Sequence, residues 1–172
     1  MDGKSCTLSI PDEKNLVKSN FMNEFKQAVY HTAINQLKQK EALLSEERKN
    51  IIESILEEEK NSAGDKYETS RETMTQDLNS LEKQIKQSKL DLEELYRLQT
   101  IKDTPPTVQE GALVQLGKEW FLLAVSVGQV KVADKHVFLL SKNSPLGDLL
   151  VGRKKLESIQ FRGKTQTISE LI

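Results

Sequence analysis

The chain has 172 residues, of which 30% are charged and only 5% aromatic, and its formal net charge is -1. So few aromatic residues argue against one large core that extends over the whole chain. The near-zero charge excludes tight nucleic-acid binding by the protein as a whole, because such binding needs many Lys and Arg contacts to phosphates. Any basic contact surface must therefore be local.

Cysteine content and hydropathy exclude further classes. Cys6 is the single cysteine, which excludes an intramolecular disulfide and every Cys-rich metal cluster. The first residues contain no apolar targeting segment, and no run approaches the roughly 18 apolar residues of a membrane span. We therefore expect a soluble, cytoplasmic protein without a membrane partner.

The amino-acid composition changes at the paired prolines Pro105 and Pro106. Between Pro11 and Pro105 the chain contains one glycine and is rich in Glu, Lys, Leu and Gln, which is typical of long helices. The later residues form short apolar runs divided by glycines, which is typical of strands and turns. The sequence therefore predicts an α+β protein with an N-terminal helical domain at 1–103 and a C-terminal domain at 104–172.

Charge divides near the same boundary. Residues 1–105 carry 16 basic and 20 acidic side chains, whereas residues 106–172 carry 9 and 6. The near-neutral total is therefore the sum of -4 on the helical half and +3 on the other half.

Apolar residues of the helical half recur at alternating spacings of four and three, the pattern of a coiled-coil seam. When the seam positions of 30–58 are paired antiparallel with those of 67–99, the two residue numbers in each pair sum to 129, as they do for Tyr30 and Gln99. The mirror point lies between Gly64, suited to ending a helix, and Asp65, suited to capping the next. We predict an antiparallel coiled-coil hairpin, about 50 Å long at roughly 1.5 Å per residue, with its turn at 62–65.

Polar residues weaken the middle of this seam, since Glu41, Arg48 and Ser88 occupy seam positions. A rod of this kind needs support from its base or from a partner. A richer apolar stripe lies near the base, where we expect it to pack on the C-terminal domain. Its members are Phe21, Met22, Phe25 and Val29.

The C-terminal domain is predicted to be a mainly antiparallel sheet with one helix on it. The helix begins with Ser144 as its cap and Pro145 at its first position. Four aromatic residues are expected to supply most of the large core side chains; they are Trp120, Phe121, Phe138 and Phe161. The five predicted strands lie at about 112–116, 120–127, 136–141, 157–161 and 165–171.

The predicted tip of the hairpin, at about 57–72, contains six acidic and three basic residues. Asp65 and Glu68, three residues apart, would project together from the start of the second helix. Hard divalent cations prefer such oxygen ligands. Asp-x-x-Glu is equally the pattern of a capping box, in which both acids accept hydrogen bonds from free backbone N-H groups at the helix start. The residues leave both interpretations open.

Two segments resemble a known family. Residues 143–153, Asn-Ser-Pro-Leu-Gly-Asp-Leu-Leu-Val-Gly-Arg, resemble the Ser-Pro-x-x-x-x-Leu-x-Gly-Lys signature of the bacterial Gre transcript-cleavage factors. Residues 64–68, Gly-Asp-Lys-Tyr-Glu, are similar to the Gly-Asp-x-x-Glu tip segment of that family. A long antiparallel coiled coil followed by a small α+β domain is also the layout of the family.

The resemblance implies a transcription elongation factor that binds RNA polymerase. The C-terminal domain, with an FKBP-like fold, would dock at the rim of the secondary channel, through Ser144, Pro145, Leu146, Leu149 and Gly152. The hairpin would enter the channel, where Asp65 and Glu68 share the Mg²⁺ of the polymerase. The polymerase itself would cleave backtracked RNA, so that arrested elongation resumes.

The same resemblance implies an accessory factor that is not itself an enzyme and has no cofactor of its own. It implies a monomer whose contact with nascent RNA is indirect. Two alternatives remain. Alignment on Tyr67, Arg71 and Glu72 places Lys60 and Ala63 at the acid positions, which favours a non-cleaving regulator of the secondary channel. A coiled-coil scaffold unrelated to transcription is the other.

Overall fold

The protein is described by a computed structural model. Its backbone is described over 13–61, 66–101 and 104–172, and its side chains over 20–57, 70–101 and 104–172.

Two long helices form the N-terminal part of the described chain. Helix α1 is Glu13–Asn61, with 49 residues, and α2 is Lys66–Gln99, with 34. Neither contains proline or glycine, so nothing interrupts the hydrogen-bond ladder of a segment rich in good helix formers. Within the described ranges, no helix combines the length and apolar character needed to cross a membrane. The predicted turn at 62–65 lies outside the described residues.

Side chains of α1 and α2 contact one another along much of their length. The predicted seam positions are buried or half-buried wherever side chains are described, with the exception of exposed Arg71. Even the polar seam residue Ser88 is only 3% exposed. Three polar contacts link the helices, and the residue numbers on α2 fall as those on α1 rise: Gln27 with Gln99, Glu41 with Lys89, and Arg48 with Glu82.

Six strands and a short helix follow. They are β1 Leu113–Leu116, β2 Glu119–Ala124, β3 Gly128–Val132, β4 Lys135–Ser141, α3 Pro145–Leu150, β5 Ser158–Phe161 and β6 Lys164–Leu171. The strands form one sheet in the order β3-β4-β2-β1-β6-β5. All neighbours pair antiparallel except β2 and β4, which are parallel. The α+β prediction is therefore correct, and the sheet is mixed.

Strand β3 was not among the five predicted strands, and the prediction extended β2 too far. Strand β2 ends at Ala124, and residues 125–127 cross past the end of β4 to reach the sheet edge. Along β3 only Val130 is buried. An edge strand with one buried side chain gives almost no apolar alternation, so the sequence pattern fails to reveal it.

Each face of the sheet packs against helices. On one face, Val29 and Tyr30 of α1 join Leu95 of α2 and the inward side chains of β1, β2 and β4 in one core. This core continues across the predicted domain boundary at 103/104. On the other face, Leu146 and Leu150 of α3 pack on a second core of the sheet.

The predicted stripe at the base of α1 contributes to the first core. Phe25 and Val29 are buried, and Met22 packs against them. The Phe25 ring meets the Trp120 ring edge to face, with centroids 5.2 Å apart. The prediction is wrong for Phe21, whose side chain is 59% exposed, although it lies one turn before Phe25 on the same face of α1.

Candidate functional site

The turn into α3 has the predicted cap. The Ser144 Oγ accepts a hydrogen bond from the Gly147 backbone N at 3.1 Å, and Pro145 occupies the start of the helix. This bond satisfies one of the N-H groups that lack a partner at a helix start, and Pro145 contributes a fixed φ there. Ser144 and Pro145 therefore set the direction in which α3 leaves β4.

Gly147 is required by packing, a role that the sequence analysis missed. A Cβ at this position would lie 2.2 Å from the Ser141 backbone oxygen and 2.9 Å from the Ser144 Oγ. Only a residue without a side chain allows α3 to approach the end of β4 this closely. The only signal in the sequence is a glycine inside a very short helix.

Beside this turn lies an open groove of about 930 Å³. Its floor is aromatic, since Phe121 and Phe138 are paired in register on the parallel strands β2 and β4 and thus share a face. Their rings stack with centroids 5.5 Å apart and planes 23° apart. Phe161 lies on another side of the groove, and Glu119, Arg162 and Lys164 supply charges around it.

The structure places the predicted docking residues in two groups. Ser144, Pro145 and Leu146 line the groove. Leu149 is half-buried and packs against the core under α3. Gly152 has a positive φ of 80° and donates its N-H to the Val108 oxygen at 2.8 Å, so it ties the end of α3 to the chain before β1. The last two residues do not line the groove.

The expectation that four aromatic side chains fill the core holds only in part. Trp120 and Phe121 are buried, but Phe138 and Phe161 are half-buried and are available to the groove. The Arg162 guanidinium lies 5.2 Å from the centroid of the Phe161 ring, which adds a cation next to the apolar lining. An aromatic-lined groove does exist in this domain, and the core does not consume every aromatic residue.

A second cleft, of about 450 Å³, separates α2 from the β4–α3 turn. Charged pairs span it: Glu110 lies 3.0 Å from Lys142 and 3.7 Å from Arg97. Arg97 also forms a two-point hydrogen bond with Glu94, which lowers the pKa of that carboxyl. Because the side chains of these pairs are partly exposed, the pairs add little to the free energy of unfolding. Their main effect is to orient α2 relative to the sheet.

The acids of the predicted tip are not placed. Asp65 lies outside the described residues, and Glu68 belongs to α2 but its side chain lies outside them as well. Among the side chains that the structure does describe, no group of three or more His, Cys, Asp or Glu is arranged to hold a metal ion.

Comparison with known proteins gives no relative for this chain: no protein-family model, no curated protein and no solved structure matches it.

Proposed function

We propose that this protein is a Gre-like transcription elongation factor. It binds RNA polymerase, inserts its long helices into the secondary channel and stimulates cleavage of backtracked RNA. The observation that carries the proposal is the layout: two long contacting helices packed on one face of a small sheet, with a Ser-Pro helix and an apolar groove on the other face.

In this proposal α1 and α2 form an antiparallel coiled-coil hairpin that turns at 62–65. Support comes from the three polar contacts, whose residue numbers run in opposite directions, and from the burial of the seam. The described seam residues of α1 beyond Leu44 are only half-buried, and Leu81 is the one buried seam residue described opposite them on α2. The far half of the rod therefore has little core of its own. A rod of this kind suits insertion into a channel whose walls support it.

The sheet domain, for which we propose an FKBP-like fold, docks at the rim of the channel. The groove beside Ser144, Pro145 and Leu146 offers an apolar segment of the polymerase a site lined by phenylalanine rings. Aromatic side chains in pockets are the usual anchors of protein interfaces. Docking there leaves the opposite face of the sheet to hold the helices.

At the tip, Asp65 and Glu68 would help to hold a Mg²⁺ ion of the polymerase, which would supply an activated water for RNA hydrolysis. The spacing of the two acids supports this role. The factor has no hydrolase activity or cofactor of its own. It acts as a monomer in the cytoplasm and meets nascent RNA only within the polymerase.

The catalytic part is tested on stalled, backtracked elongation complexes. Full-length protein is expected to shorten the RNA rapidly, and Asp65→Ala with Glu68→Ala is expected to abolish shortening while polymerase binding persists. The matched control is Asp77→Ala with Glu93→Ala, two exposed acids of α2. Cleavage that survives the tip substitutions refutes the tip assignment. Binding without any cleavage by the unmodified protein favours a non-cleaving regulator.

The docking part is tested by polymerase pull-down. Phe161→Gln removes an apolar side chain from the groove and is expected to weaken binding by about tenfold or more, since buried aromatic anchors contribute at least 1 to 2 kcal/mol. Leu156→Gln is the control, because Leu156 is 75% exposed and lies outside the groove. Failure of the unmodified protein to bind polymerase, together with capture of a different partner, favours a scaffold protein.

The aromatic lining of the groove favours one further candidate, recognition of a proline-containing segment. Proline packs well on aromatic rings, and Phe121, Phe138 and Phe161 converge on the groove. A proline peptide isomerisation assay with the full chain tests it, with Phe138→Ala as the variant. Isomerisation that is absent, or that is unchanged in the variant, removes this candidate.

A further inference from the structure

The topology places all three β-hairpin turns at one end of the sheet. Strands β1, β3 and β5 run toward that end, and β2, β4 and β6 start from it. The two-residue turns at 117–118, 133–134 and 162–163 therefore form one edge, which we call the turn edge. It comprises residues 117–119, 131–136 and 162–164.

The whole charge excess of residues 106–172 lies on the turn edge. Five basic residues are found there, namely Lys118, Lys131, Lys135, Arg162 and Lys164, against two acids, Glu119 and Asp134. The other four basic residues of this half are accompanied by four acids elsewhere, so they cancel. The net charge of +3 on residues 106–172 is therefore the net charge of the turn edge.

The basic residues at the two ends of the sheet also differ in their partners. Away from the turn edge, three of the four basic residues form ion pairs: Lys142 with Glu110, Arg153 with Glu157, and Lys155 with Glu170. Within the described part of the chain, no basic residue of the turn edge lies within 4.0 Å of an acid. Lys135 packs on the Phe25 and Trp120 rings and Arg162 on Phe161, and both contacts leave the charge uncompensated.

Arg162 occupies a backbone conformation that does not favour arginine. Its φ is +49°, next to Gly163 at +75°, the pattern of a type I′ turn that normally prefers Asn-Gly or Gly-Gly. A non-glycine residue other than Asn or Asp is uncommon at positive φ. The backbone conformation therefore does not select arginine at this position, just as it does not select Ala133, whose φ is +52° in the neighbouring hairpin turn.

We propose that the turn edge binds the phosphate backbone of a single-stranded nucleic acid. Neighbouring hairpin turns are separated sideways by two strand spacings, or roughly 10 Å. Leu116 pairs with Ile168, and the β5–β6 hairpin closes at Lys164, so the 162–163 turn also extends roughly 13 Å past the end of β1. The three turns therefore span roughly 20 to 25 Å. A row of exposed cations over that distance matches a linear polyanion. Because successive strands are rotated by about 20 to 25°, the row is twisted, and a flexible single strand follows such a row more readily than a stiff duplex does.

This inference goes beyond the proposed function, because it concerns the hairpin turns of the sheet and needs no polymerase, although Glu119, Arg162 and Lys164 of the turn edge also line the groove. Its test is fluorescence anisotropy with the full-length protein and a labelled 20-nucleotide single-stranded RNA of mixed sequence. Three phosphate contacts give a slope of about -2 for log K against log salt, and so affinity about 20-fold lower at 200 mM than at 50 mM salt.

The test variant changes one cation in each hairpin, as Lys118→Gln, Lys131→Gln and Arg162→Asn. The last change also gives the turn its preferred Asn-Gly pair, so loss of fold does not explain loss of binding. We expect affinity at 50 mM salt to fall about tenfold or more and the salt slope to approach zero. The matched control removes three charges that lie outside the turn edge, as Lys142→Gln, Lys154→Gln and Lys155→Gln, and is expected to retain binding.

Equal loss of binding in the two triple variants overturns the proposal, since it shows dependence on total charge alone. Absence of RNA binding by the unmodified protein at 50 mM salt also overturns it. So does equal affinity for a polyglutamate peptide, which assigns the edge to an acidic protein, or equal affinity for a 20-base-pair DNA duplex. Because no polymerase is present, these outcomes leave the proposed elongation function unaffected.

Discussion

The hydroxyl of Tyr30 in α1 donates a hydrogen bond to the backbone oxygen of Gly111, 3.3 Å away and 81 residues later in the chain. Gly111 has a positive φ of 85°, and its N-H is bound to the Leu123 oxygen at 2.7 Å. A Cβ at Gly111 would lie 3.4 Å from the Tyr30 hydroxyl. This contact joins the base of the long helices to the segment that enters β1.

We predict that Tyr30→Phe lowers the free energy of unfolding by about 1 to 3 kcal/mol, because it leaves a buried carbonyl without its donor. Urea unfolding monitored by circular dichroism measures this loss. Tyr96→Phe is the control, since the Tyr96 side chain is 44% exposed and its change is expected within about 0.5 kcal/mol. A similar loss in both variants contradicts a specific role for the Tyr30 bond.

Lys26 is the subject of a pH prediction. Its side chain is only 4% exposed and donates to the Ile172 backbone oxygen at 3.3 Å. Burial lowers the pKa of Lys26 below its ordinary value of 10.5. The Ile172 oxygen also accepts from the Leu113 N-H at 2.8 Å, so this oxygen keeps one donor when the amine is removed.

We therefore predict that Lys26→Met stabilises the protein at neutral pH. Below pH 10.5 the unfolded chain binds a proton at Lys26 more readily than the folded chain does, so stability rises with pH between the folded and unfolded pKa values. The advantage of the methionine variant is greatest below this window and shrinks as pH rises through the window toward 10.5. Thermal unfolding from pH 7 to pH 11 checks this trend.

Lys40→Met is the control for that series, because Lys40 lies on an exposed part of α1. Its stability difference from the unmodified protein is expected to stay within about 0.5 kcal/mol. If the Lys26 variant is less stable at pH 7, the hydrogen bond to Ile172 outweighs the desolvation of the amine, and the prediction is wrong.

Gly147 gives a packing prediction. Alanine at this position would force its Cβ to 2.2 Å from the Ser141 oxygen, so α3 must shift and the Ser144 cap is lost. We expect a loss of about 2 to 4 kcal/mol, the sum of overpacking and cap removal, measured by urea unfolding. Gly117→Asn is the control, since no atom lies within 4 Å of a Cβ there and Asn tolerates positive φ. Equal losses contradict the prediction.

Much of the helical part was predictable from sequence because its contacts recur at regular residue spacings along each helix. The seam positions follow from spacing along the chain, and the structure buries or half-buries them from Tyr30 to Ile55 on α1. The Ser144 cap is equally local, since all its partners lie within three residues. Features set by short-range spacing are the ones that pattern analysis recovers.

The groove was not predictable, because it depends on strands that are not sequential. Phe121 and Phe138 meet only because β4 lies parallel beside β2, and that pairing depends on the edge strand β3, which has one buried residue. The burial of Lys26 is similar, since a lysine in a helix pattern is expected to be exposed. The sequence shows that residues 106–172 carry a net charge of +3. That this charge lies on one edge follows only from the strand order.

The last prediction concerns how α1 and α2 pair. Arg48 Nη2 lies 2.9 Å from Glu82 Oε1, and both side chains are nearly half exposed. A double-mutant cycle with Arg48→Gln and Glu82→Gln is expected to give a coupling of about 0.3 to 1 kcal/mol that shrinks in 1 M salt. Lys49 and Glu53, an i,i+4 pair within α1 at 3.7 Å, provide a control cycle of about 0.3 kcal/mol. Because the control pair needs only α1, coupling there without coupling between Arg48 and Glu82 contradicts a stabilising ion pair between the two helices at this position.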